Sequence, residues 1–174
     1  QGADVVLVSP HAWLGGMLTA AGVSATDGNH KLPSGIWGEF RQELYKHYGG
    51  PEAVETGWVS NTLFEPHVGD SIFKAMVARE KNIDVIYNHR PSDVLRKGHR
   101  ITGVVFTGKD DTKLRVKAGI TIAATELGDV MALAGVPYSV GQDAASETGE
   151  IQAPSEATDI IQDLTYVAIL KAHP

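Results

Sequence analysis

"DVVLVSPHAWLGGM", Asp4 to Met17, is the stretch on which the reading of this chain turns. Val5, Val6, Leu7 and Val8 are apolar without alternation, the pattern of a parallel strand covered on both faces. Pro10 stops the strand, and Gly15-Gly16 follows. Backbone this bare at the end of a buried strand has two explanations. One is a tight turn; the other is a ligand that touches main-chain N–H groups, for which glycine leaves room.

Outward from that stretch the chain alternates helix and strand signals. Ser34 is a plausible N-cap, and Trp37, Phe40, Leu44 and Tyr48 recur at helical spacing up to Gly49-Gly50. With Tyr45, these aromatics read as core. Pro66 fits a first helical turn, and Val68, Ile72, Met76 and Val77 continue one apolar face to about Lys81. The period then changes to two. Ile83, Val85 and Tyr87 mark a strand, a second lies near Asp93–Arg96, and Ile101–Phe106 is a third. Leu114, Val116 and Ala118 alternate after the turn residues Gly108–Asp111, so 91–118 reads as an antiparallel meander. Ile120–Ala124 is a continuous apolar run like Val5–Val8, and the two are expected to be neighbouring or near-neighbouring parallel strands of one sheet. Leu127, Val130, Met131 and Ala134 then read as a short helix closed by Gly135, and Ile160–Leu170 as a last amphipathic element. Gln1-Gly2-Ala3 reads as the end of a helix. Buried strands that each end in a small-residue turn suggest a parallel α/β sheet, which binds ligands at the carboxyl ends of its strands.

Composition narrows the function. Of 174 residues, 43% are hydrophobic, enough for a packed core. Lys and Arg number 15 against 21 Asp and Glu, and a net charge of -6 argues against nucleic acid as a partner. The absence of cysteine excludes a disulfide, a thiolate metal site and a cysteine nucleophile. No apolar run approaches the ~18 residues of a membrane span, and no signal peptide is visible, so a soluble protein of cytoplasm or periplasm is expected.

Each motif has a plain reading beside a functional one. "WLGGM" (Trp13–Met17) is a turn or a phosphate-approaching loop. "ATELGD" (Ala124–Asp129) opens a helix, either as a cap built on Thr125 or as a place where an anionic group meets unpaired N–H groups. In "FEPHV", Glu65 and His67 are a helix start with an exposed histidine, or an acid–base pair. The seven histidines never fall in HExxH spacing, and no GxSxG turn is present, so neither a metal centre nor a hydrolase elbow is supported.

Taken in order, "VVLVSPHAWLGGMLTAAGVSA", "LFEPHV", "RITGVVF" and "ATELGDVMALAGVPYSVGQDAASETGE" resemble the FAD-dependent oxidoreductases of the two-dinucleotide-binding-fold superfamily. The resemblance covers essentially the whole chain. It implies an α/β fold: an FAD/NAD(P)-binding Rossmann-type parallel sheet with an antiparallel β-meander and a partial helical insertion. It implies FAD as cofactor and a small-molecule substrate, with residues 1–28 and 83–140 in the FAD-binding portion and 29–82 and 141–174 in an inserted portion. Position by position, Val5–Val8 matches the second strand of the FAD-binding unit. Ser9 stands where a carboxylate usually holds the adenosine ribose. Gly15 and Gly16 match the loop passing the pyrophosphate and flavin edge. The adenine edge falls at His89–Pro91, and since Pro91 has no N–H, it is assigned to Arg90. Ala124 and Thr125 match the small-residue turn over the cofactor. Glu126 replaces a glycine common in the wider superfamily but fits this group. The superfamily's GxGxxG would precede Gln1, so the chain reads as an internal piece that lacks a C-terminal part as well and holds FAD only weakly alone. The resemblance assigns no catalytic residue; His67 is the first to test. Two alternatives stand beside this reading: an α/β binding or structural domain without redox chemistry, and a dehydrogenase using nicotinamide alone.

Overall fold

Val5–Val8 is extended, as its apolar run predicts (β1), and pairs in parallel with Ile83–Ile86 (β2). The register sets Val5 opposite Ile83 and Val8 opposite Ile86. A parallel pair needs a crossover of a dozen or more residues. Here it contains two helices, Gly35–Tyr48 (α1) and Pro66–Ala78 (α2). In the computed structural model, which describes residues 2–27, 29–55, 60–165, 167–168 and 170, these elements belong to one compact unit, Gln1–Arg90 with Val167–Pro174. Pro91–Tyr166 forms another.

Both helices sit where the spacing predicts. Ser34 occupies the N-cap of α1, without a side-chain cap bond, and Gly49 closes it in the left-handed conformation. Pro66 opens α2. Their apolar faces meet in a core of Phe40, Leu44, Phe64 and Val68, with Trp37, Tyr48 and Phe73 packed against it. Phe40 stacks on Phe73 with ring centroids 4.4 Å apart and meets Phe64 edge-on at 5.3 Å. Tyr45 instead turns its hydroxyl to Arg41, whose guanidinium also lies over the Trp37 ring.

The second unit is the expected meander. Arg90–Lys97 (β3), Arg100–Thr107 (β4) and Lys113–Lys117 (β5) form one sheet in that order. Its core is Val94, Val104 and Val130, the last carried by the short helix Asp129–Leu133 (α3). Leu127 falls just before α3 and is exposed. A further helical turn, Ala145–Thr148 (α4), interrupts the polar stretch after it.

Three expectations are corrected. Ile120–Ala124 is not a strand. It lies in the second unit, makes no ladder hydrogen bond among the described residues, and leaves Ile120 and Ile122 each 83% exposed. An apolar run signals burial but names no partner, and β1 takes its ladder from β2 instead. Secondly, β1 is paired but not buried: Val5, Val6 and Leu7 keep 41%, 44% and 37% of their exposure. Pairing with β2 satisfies the backbone groups on one edge of the strand, whereas covering its faces takes separate layers, which the described residues do not complete. Thirdly, 160–165 has no regular structure, and Ile160, Ile161 and Leu164 are exposed. A short helix needs a tertiary face to pack on, and the described residues leave these side chains exposed. Parts of two expected elements, Gln1 of the helix end and 166 and 169 of the last element, lie outside the described residues. No described helix is long and apolar enough to cross a membrane.

Candidate functional site

The carboxyl ends of β1 and β2 are tied together at their last residues. The N–H of Ser9 donates to Ile86 at 2.8 Å, and the N–H of His89 returns to the carbonyl of Ser9 at 3.0 Å. The Ser9 hydroxyl works within its own loop, donating to the Trp13 carbonyl at 3.2 Å and accepting from the His11 N–H at 3.2 Å. That is a serine turn, a local bond that bends the chain out of the strand. Arg90 follows His89 directly, exposed at the first position of β3. The structure thus brings Ser9 and the His89-Arg90 segment to one end of the parallel pair, the end at which open α/β sheets bind ligands.

Gly15 and Gly16 lie further along the same loop, with φ of 109° and 50°. Both values fall in the left-handed region, so the pair is glycine for conformational reasons as well as for space. The loop is closed from inside: Leu14 is buried, the Thr19 hydroxyl donates to the Leu14 carbonyl at 2.6 Å, and the N–H groups of Leu18 and Thr19 return to the carbonyls of Gly15 and Gly16. A side chain on Gly15 would meet the Phe73 ring and the Thr19 methyl at 2.7 Å, so packing by itself accounts for that glycine. The N–H groups of Gly15 and Gly16, by contrast, have no acceptor among the described residues. Gly15 is exposed and Gly16 half-buried. Two open main-chain donors fit a phosphate or another electron-rich edge.

Ala124 and Thr125 lie in the second unit. Ala124 is exposed, and Thr125 is half-buried. The Thr125 hydroxyl accepts from the Asp129 N–H at 2.9 Å, which holds the first turn of α3, while Gly128 takes the N-cap position itself. The sequence expects Thr125 as the N-cap; the structure moves that position three residues later, to Gly128, while the Thr125 hydroxyl still caps an N–H of the first turn.

Glu65 and His67 do not form a pair. The Tyr48 hydroxyl donates to the Glu65 carboxylate and accepts from the Glu65 N–H at 2.9 Å, fastening the start of α2 to α1. His67 instead lines a cleft of about 230 Å³ between the two helices, with His47, Ser71 and the Glu43–Arg79 ion pair over an apolar floor. Hydrogen bonds from Lys46 at 3.1 Å and Arg79 at 3.2 Å hold the Glu43 carboxyl below its usual value of 4.5. A depressed carboxylate lends stability that is full above the unfolded value and disappears as pH falls through the folded one. Acidification below about 4.5 is therefore expected to shrink the thermal-stability difference between wild type and Glu43→Gln. A difference that stays constant across that range would show the ion pair to be inert. Among the described residues no group of three or more His, Asp or Glu could hold a metal ion.

Two residues of this region carry no signal in the helix period. Asp70 and Lys74 stand four apart on α2, and both reach the glycine loop. Their i,i+4 spacing marks an ion pair, but it does not say that the acid is buried.

A family model described as FAD dependent oxidoreductase matches residues 1–172. No curated protein and no solved structure matches the chain.

Proposed function

The chain belongs to the FAD-dependent oxidoreductase family, and from this premise we propose that its first unit supplies one wall of the FAD site in an enzyme that oxidises or reduces a small organic substrate. The cofactor of the family is FAD. The observation that carries the proposal is the pair of open N–H groups on Gly15 and Gly16, presented beyond the carboxyl end of β1. In this reading those donors hold an anionic or electron-rich part of the cofactor, and the exposed Arg90 offers its backbone to the adenine. Ser9 contributes by shaping the turn, because its hydroxyl already donates to the Trp13 carbonyl and accepts from the His11 N–H. When bound, FAD supplies the capacity to take or give a hydride; the protein supplies binding, orientation and exclusion of water.

The test is direct. The full-length protein carrying this chain is expected to purify with a flavin absorption band that bleaches on reduction and to release FAD on denaturation. A protein that takes up nicotinamide dinucleotide but no flavin would sink the proposal.

A further inference from the structure

We propose that Asp70 and Lys74 are positioning residues that hold the glycine loop in the shape its ligand needs; this rests on the FAD reading above. Asp70 is 7% exposed, an unusual place for a carboxylate unless its oxygens are satisfied. Both are. One accepts from the Leu14 N–H at 2.8 Å, across 56 residues of sequence, and the other from the Lys74 ammonium at 2.7 Å. Lys74 in turn donates to the Ala12 carbonyl at 2.8 Å and lies 5.4 Å over the Tyr87 ring, just beyond β2. One helix turn therefore grips the loop at Ala12 and at Leu14, the residue immediately before Gly15. Phe73, between them on α2, fills the space against Gly15 itself.

The placement argues for shape control over simple stability. Asp70 and Lys74 bond only to the backbone of the loop, so they specify where its main chain lies whatever side chains it carries. Each contact falls within four residues of the open N–H groups of Gly15 and Gly16. A loop held in its binding shape beforehand spares the ligand the entropy of ordering it, which appears directly as affinity. With the clamp removed, the loop would still be attached at its ends but would sample other shapes, and a ligand would have to select the right one.

The experiment compares Asp70→Ala and Asp70→Asn in the full-length protein. The readouts are FAD affinity by flavin fluorescence and hydrogen exchange over residues 12–19 in the apoprotein. Asp70→Ala removes the acceptor for Leu14 and the partner of Lys74, and loss of a charge-assisted hydrogen bond corresponds to about tenfold or more in an equilibrium. FAD affinity should fall by about that factor, and exchange over 12–19 should rise. Asparagine keeps an oxygen for the Leu14 N–H, so Asp70→Asn should recover most of the affinity and of the protection. Wild-type affinity in Asp70→Ala overturns the assignment, and so does a loss that Asn does not restore. Should the wild-type protein bind no flavin, the functional reading fails instead, and unchanged exchange over 12–19 in Asp70→Ala would then overturn the clamp by itself.

Discussion

Replacing Gly15 with Val should displace the glycine loop, destabilise the first unit by about 2–5 kcal/mol and strip the full-length protein of flavin. Two independent effects add. At φ 109° any residue with a Cβ is strained, by roughly 1–2 kcal/mol. The new side chain would also point into the Phe73 ring and the Thr19 methyl, where an ideal Cβ already comes within 2.7 Å. Overpacking of this kind typically destabilises by about 1–3 kcal/mol. Phe73 cannot easily give way, because its ring is stacked on Phe40. The loop must move, and its open N–H groups move with it. The measurement pairs a denaturant titration with flavin content after purification. A Gly15→Val protein as stable as wild type would show that the loop does not pack on α2 as described. A destabilised variant with full flavin would place the cofactor elsewhere.

Phe40→Ala is expected to have a comparable effect on stability, about 3–5 kcal/mol, without touching the loop. The ring is 1% exposed and is held between the faces of α1 and α2 by Phe73 and Phe64. Its removal leaves a cavity that the helices cannot close without losing the rest of their contact. Domains of this size are stable by only about 5–15 kcal/mol, so such a loss brings the unit close to unfolding. The denaturation midpoint should fall while its slope stays the same, the sign that stability changed and not the compactness of either state. A loss below about 1 kcal/mol would be a surface effect and would contradict the packing of Phe40. The two substitutions also test a link: because Phe73 touches both sites, their effects should not be additive.

What the sequence by itself determined is local. The 3.6-residue period of Phe40, Leu44 and Tyr48, closed by Gly49, marks α1, and Pro66 with its apolar face marks α2; both depend on bonds and contacts a few residues apart. The period-two pattern of 91–118 marks the meander for the same reason, since short turns bring its strands together. The family and its FAD were legible in ordered motifs along the chain and agree with the family match. The glycine pair announced itself as a bare turn, though not which contact required each glycine.

Only the tertiary structure decided who pairs with whom. Val5–Val8 and Ile120–Ala124 have nearly the same apolar pattern, yet the first is a strand because Ile83–Ile86 lies alongside it, and the second finds no ladder partner among the described residues. Burial was equally illegible, because it belongs to the layers around a segment and not to the segment, as the exposed face of β1 shows. The clamp on the glycine loop lay furthest from reach. Asp70 and Lys74 read as a common surface ion pair of a helix. What separates them from one is a hydrogen bond to Leu14, 56 residues away, and the burial that makes that bond matter. Contacts at that separation leave no period in the sequence; they exist only once the helix and the loop have been folded against each other.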